Sequence, residues 1–147
     1  MQMNHEYEVM KKLLPHRKPF LFVDRLEKVT KDQTVGVRLF SHDEYFFEGH
    51  FPDYPVVPGV VLVETMAQCG GAGLKQQGRL SQDALFVLAS VEKAKFRQQV
   101  RPGDTVTIVV DNLRISEQVL RQRGKILIGE TLAAEATWMC IVSKAEK

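Results

Sequence analysis

The 147-residue chain holds only two cysteines, Cys69 and Cys140, and neither stands in a C-x-x-C or other metal-ligand spacing. This leaves disulfide frameworks and zinc clusters without support and fits a reducing cytoplasm. Charge of one sign is equally scarce. Twenty Lys and Arg against eighteen Asp and Glu leave a net +2, too small an excess for nucleic-acid binding by bulk charge. The N-terminal Met1-Gln2-Met3-Asn4-His5-Glu6 is polar and has no apolar stretch behind it, so no secretory signal is expected. No P-loop, dinucleotide fingerprint or H-E-x-x-H occurs, and His5, His16, His42 and His50 share no ligand spacing. Neither a nucleotide, a metal nor any other cofactor is therefore expected.

What is present is the balance of a folded globular chain, 44% hydrophobic and 26% charged residues, without repeats or a Gly/Ser/Pro linker. Residues 1–147 therefore read as a single domain. Val9, Met10, Leu13 and Leu14 at helical spacing predict a short amphipathic helix over Glu6–Leu14, stopped by Pro15. Phe20–Val23 and the alternating Val35, Val37 and Leu39 predict a hairpin with Lys31-Asp32-Gln33 as its turn. The stretch from Val56 to Leu74 is almost wholly apolar and is opened by Pro58-Gly59, which predicts a helix over Val60–Gly73 with Gly78 as the stop. Gly70, Gly71 and Gly73 lower its intrinsic propensity but admit neighbouring backbone closely, as in a helix enclosed by the fold. A membrane span is rejected: about 20 apolar residues are needed, whereas this run has a central Glu and three prolines at its start.

Four strands are predicted downstream, over Leu85–Gln98, Thr105–Ile115, Val119–Ile128 and Leu132–Val142, in succession as an antiparallel meander. A helix apolar on nearly every side needs a sheet that curves around it. The expected architecture is an α+β fold of the hotdog kind, with about six antiparallel strands wrapped around one long central helix.

Glu64 is the one ionisable carboxylate or base between Tyr54 and Leu74 and falls in the middle of the apolar helix. A carboxyl so placed either finds partners or takes up a proton. It is thus either a general acid or a structural acid satisfied by backbone donors or by Gln68, one turn further along the same face. His50, among aromatics in Phe46-Phe47-Glu48-Gly49-His50-Phe51-Pro52, is either a base or a structural loop histidine. Pro58-Gly59 either makes a plain turn or presents free N–H groups at a helix start to a developing oxyanion.

Taken in order, Leu14-Pro15-His16-Arg17, Pro19-Phe20-Leu21-Phe22-Val23-Asp24-Arg25, Gly49-His50-Phe51-Pro52, Pro55-Val56-Val57-Pro58-Gly59-Val60, Glu64-Thr65-Met66-Ala67-Gln68, Lys95-Phe96-Arg97 and Pro102-Gly103-Asp104 closely resemble the FabZ family. These are (3R)-hydroxyacyl-[acyl-carrier-protein] dehydratases of type II fatty acid synthesis, and the resemblance runs from about Leu13 to Cys140. It implies a hotdog fold whose homodimer joins two sheets, often as a hexamer built from three dimers. His50 of one subunit and Glu64 of the next would form the catalytic pair. The Gly59 N–H would polarise the thioester carbonyl, and Gln68 would orient Glu64. Glu64, where the related FabA branch has Asp, favours the FabZ branch. Lys18 and Val61 depart slightly from the family pattern, the second with a bearing on tunnel shape.

Phe20, Phe22, Phe51, Val60, Val61, Met66 and Phe96 are candidate walls for an acyl channel, or ordinary core. In that family the partner is an acidic acyl carrier protein bearing the acyl chain on phosphopantetheine. Lys93, Lys95 and Arg97, on one strand face by alternation, with Arg101 after them, are candidates to receive it. Arg114, Arg121, Arg123 and Lys125 form a second basic group; both sets also suit a solvated sheet face. Two other readings remain at this stage: a coenzyme A thioesterase or hydratase, and a non-catalytic acyl-thioester-binding module.

Overall fold

A computed structural model describes residues 2–144. Its elements in chain order are helix α1 (Gln2–Leu13), strands β1 (Arg25–Val29) and β2 (Gln33–Leu39), a 3-10 turn at Tyr45–Glu48, helix α2 (Gly59–Gln76), and strands β3 (Ala84–Phe96), β4 (Thr105–Ile115), β5 (Val119–Ile128) and β6 (Thr131–Lys144). The six strands form one antiparallel sheet in the order β1-β2-β4-β5-β6-β3. Helix α2 touches all six strands, and its residues from Val61 to Lys75 are buried except Glu64. A helix apolar on every side is thereby enclosed, as the pattern requires.

The close fit around α2 depends on its glycines. A Cβ at Gly70 would run into the Gln122 amide, one at Gly71 into the Phe86 ring, and one at Gly73 into the Thr34 hydroxyl. No other residue allows the sheet side chains so near the helix axis. The helix runs three residues past the expected Gly73, to Gln76, and the expected stop Gly78 stands at φ +73° just beyond the last turn.

Three expectations are corrected. Phe20–Val23 is not a strand; the first strand starts at Arg25, and the preceding segment lies on α2 with its backbone bonded to the Gln68 side chain instead of to a sheet neighbour. The last four strands are not one meander. β4, β5 and β6 run as consecutive neighbours, whereas β3 pairs with β6 at the far edge, so the chain crosses the sheet between β3 and β4. Hydrophobic alternation reports which residues are strands but carries no record of which strands pair. The alternation proposed for Lys93, Lys95 and Arg97 also fails. A β-bulge between Glu92 and Lys95, with Lys93 at φ 55°, breaks the period, and Arg97 lies beyond the end of β3.

Candidate active site

The segment after the 3-10 turn presents His50. The turn buries Phe46 and Phe47 in the core, and the His50 N–H donates to the Phe46 carbonyl at 3.0 Å. The Val56 N–H returns to the His50 carbonyl at 3.1 Å, closing a loop around Tyr54 and Pro55. The ring is pinned as well: Nδ1 lies 3.1 Å from the Val56 carbonyl, and the imidazole stacks on Phe51 with centroids 4.2 Å apart. A carbonyl only accepts, so Nδ1 carries the proton and Nε2 is left with its lone pair outward. The geometry therefore offers an oriented base.

Helix α2 starts nine residues later. Pro58 brings no N–H, and Gly59 and Val60 open the first turn, where N–H groups have no carbonyl partner inside the helix and the dipole is positive. The Phe96 ring lies over this terminus, 3.0 Å from where a Gly59 Cβ would stand.

Glu64 sits one turn in, with 21% of its side chain exposed. Its Oε2 accepts from Gln68 Nε2 at 2.9 Å and stands 3.4 Å from His16 Nε2. The Gln68 amide is itself fixed, with Nε2 donating to the Phe20 carbonyl at 2.9 Å and Oε1 accepting the Phe22 N–H at 2.8 Å. Cys140 lies close enough to feel the Glu64 charge; burial first, and that charge second, push its thiol up to about 12. Neither cysteine is set up as a nucleophile, since burial also pushes the Cys69 thiol up.

Within one chain, and among the described residues, no hydrogen bond or ion pair joins His50 to Glu64; the imidazole beside Glu64 is that of His16. From the sequence His16 reads only as a residue that fixes local structure, because Glu64 lies 48 residues away and only the segment laid across α2 brings the two together. Of the channel candidates, Phe22, Val61 and Met66 are buried in the core, whereas Phe20, Phe51, Val60 and Phe96 are exposed, Val60 by 78%. A groove of about 920 Å³ between Tyr7, Lys18, Asp24, Arg38 and Glu44 contains none of the candidate site residues.

The basic row is partly spoken for. Arg97 Nε donates to Glu135 at 2.7 Å, a bond that holds the Glu135 carboxyl below its ordinary value. Lys95 sits opposite Glu135 in the β3–β6 register, and Arg101 lies over the Tyr54 ring. In the second basic group Arg121 pairs with Glu92, and Arg123 approaches Asp111 at 3.8 Å. Among the described residues no cluster of His, Cys, Asp and Glu is arranged to hold a metal ion.

A family model described as a FabA-like domain matches residues 14–137, a span that takes in the imidazole, the helix N-terminus and the carboxyl of the enclosed helix. The chain is 43% identical over 132 residues to a 3-hydroxyacyl-[acyl-carrier-protein] dehydratase FabZ of Koribacter versatilis, covering 89% of this chain and 85% of the relative. It is 41% identical over 141 residues to the FabZ of Desulforamulus reducens, covering 95% and 98%. It belongs to the FabZ family. Among solved structures, the dehydratase heterocomplex ApeI:P from Xenorhabdus doucetiae shares the fold at a TM-score of 0.75 and 18% identity, covering 94% of this chain and 91% of that one. A thioesterase from Haemophilus influenzae does so at 0.58 and 16%, covering 84% and 80%.

Proposed function

We propose that the chain catalyses the reaction named for its FabZ relatives, the dehydration of a (3R)-hydroxyacyl thioester on acyl carrier protein to the trans-2-enoyl thioester in fatty acid biosynthesis. The observation that carries the mechanism is the His50 ring, held through Nδ1 by the Val56 carbonyl so that Nε2 is free to accept a proton. His50 takes the proton from C2 while the Gly59 N–H stabilises the charge developing on the thioester oxygen. The C3–O bond breaks as protonated Glu64 delivers its proton to the departing hydroxyl, and water leaves with the C2–C3 double bond formed. His50 then holds the proton taken from C2 while that of Glu64 has left in the water, and passage of a proton from His50 to Glu64 resets the pair. The chemistry calls for no cofactor.

His50 and Glu64 make no contact within one chain, which supports a site shared between two copies. The outer edge of β3, a strand of 13 residues with Val87, Val91 and Phe96 exposed, supports a homodimer joined sheet to sheet; a hexamer of three such dimers is what the FabZ resemblance implies. Phe20, Phe51, Val60 and Phe96 supply apolar surface for the acyl channel. Lys93, Lys95, Arg97 and Arg101 are the proposed contacts for the acidic carrier, although the bulge keeps them from forming one row and Arg97 is already bonded to Glu135. The site of action is the cytoplasm; among the described residues no helix is long and apolar enough to cross a membrane.

Turnover of 3-hydroxybutyryl carrier protein, followed by absorbance of the enoyl product, tests the reading. Glu64→Gln and His50→Ala should each lose on the order of 10²-fold or more in kcat, the usual contribution of a positioned acid or base. Wild-type turnover by Glu64→Gln would rule out proton donation by that side chain.

A further inference from the structure

Two groups approach one oxygen of Glu64, and both are donors. The orientation of the Gln68 amide is dictated by the arm: the Phe22 N–H needs Oε1, so Nε2 is the atom that faces Glu64 Oε2. His16 Nε2 stands 3.4 Å from the same oxygen. The other His16 nitrogen, Nδ1, is buried and takes no hydrogen bond. A proton on Nδ1 would be stranded without an acceptor, so the N–H of the ring belongs on Nε2, facing Glu64. The ring is held in position: Leu14 is 1% exposed, Arg17 Nη1 donates to the Leu14 and His16 carbonyls at 2.8 and 2.7 Å, and Phe86 lies at a centroid distance of 5.8 Å.

We propose that His16 is a positioning residue for dehydration, a donor that with Gln68 occupies Glu64 Oε2 and so reserves Oε1 for the proton delivered to the leaving hydroxyl. The proposal rests on Glu64 being the acid, as argued above.

The test compares His16→Leu, which removes the donor, with His16→Gln, whose amide reaches the Nε2 position, and His16→Asn, whose shorter amide reaches only the Nδ1 position. Each is assayed with 3-hydroxybutyryl carrier protein beside Glu64→Gln. Loss of one hydrogen bond to a reacting group predicts about a tenfold fall in kcat for His16→Leu and His16→Asn, with KM within about twofold, and kcat within about threefold of wild type for His16→Gln. Should His16→Leu not yield folded protein, the Asn and Gln variants carry the comparison alone. Unchanged kcat in the Asn variant, equal losses in Gln and Asn, or a loss confined to KM would overturn the role of His16. If Glu64→Gln is impaired in the same series, the assignment of the acid survives that failure; if Glu64→Gln turns over normally, both fall together.

Discussion

Gln68 Nε2 lies 2.9 Å from Glu64 Oε2, and the same amide bonds the Phe20 carbonyl and the Phe22 N–H, so one side chain ties the candidate acid of α2 to the segment crossing it. A backbone stretch that would otherwise need a strand partner is satisfied from a helix.

Gln68→Leu should therefore damage both stability and turnover. It leaves a buried N–H and a carbonyl without partners and unfastens Glu64, at a cost of about 2–4 kcal/mol in unfolding free energy, with kcat reduced about tenfold. Gln68→Glu should be worse, because its carboxylate cannot donate to Phe20 and repels Glu64. Urea unfolding beside the enoyl assay decides this, and a Gln68→Leu protein with native stability would disprove the fastening role.

The glycines of α2 support a second expectation. At Gly71 an added methyl would enter the Phe86 ring, which also lies against His16. Gly71→Ala should lower stability by about 1–3 kcal/mol despite its better helix propensity, and Gly71→Ala/Phe86→Leu should lose less than the sum of the two single changes. Thermal melts of the four proteins give the cycle; strict additivity would show that the ring yields freely.

Much of this was legible in the sequence, for identifiable reasons. The β4 and β5 limits were read at Thr105–Ile115 and Val119–Ile128 because turn residues bracket clean apolar patterns. The helix was found by its apolar run, and Gly59, Glu64 and Gln68 by their place on it, Glu64 and Gln68 being one turn apart on a single face. Phe20–Val23 misled because four apolar residues bury themselves equally well on a sheet or across a helix, and the hydrogen-bond partner that decides between them lies 46 residues away. The position of β3 at the far edge and the approach of His16 to Glu64 are likewise tertiary facts, without local signature.

Arg38 ties β2 to the segment leading to His50. Its guanidinium donates to Glu44 through Nη2 at 2.8 Å to both carboxylate oxygens and to Asp24 through Nη1 at 3.1 Å, and lies over the rings of Phe22 and Phe40. Lysine cannot reproduce this planar, forked geometry. Arg38→Lys should cost about 1–3 kcal/mol, and Arg38→Met about 3–5, since the latter leaves two carboxylates with no counter-charge. Calorimetry of both variants checks the order; Met equal to Lys would mean that stacking, not charge, is what Arg38 contributes.

Lys75, in the last turn of α2, gives a prediction in pH. It is 3% exposed, with Nζ 3.4 Å from the Gln82 carbonyl and 5.7 Å from the centre of the Phe86 ring. Burial lowers its affinity for a proton below the ordinary lysine value, and the nearby Asp83 offsets this only in part. Below the folded-state value both folded and unfolded chains carry the charge, so the whole cost of burying it is present there. Between that value and the ordinary one the unfolded chain binds more protons, and stability rises with pH. Lys75→Met removes the cost while keeping the aliphatic volume, and the Gln82 carbonyl, on an exposed residue, passes to water. The variant should therefore be more stable than the parent by about 1 kcal/mol at pH 7, with the gap narrowing as pH climbs toward the ordinary lysine range. Urea midpoints at pH 7, 8.5 and 10 measure it; a gap that stays constant or widens with pH would show that Lys75 is not carried into the fold at a cost.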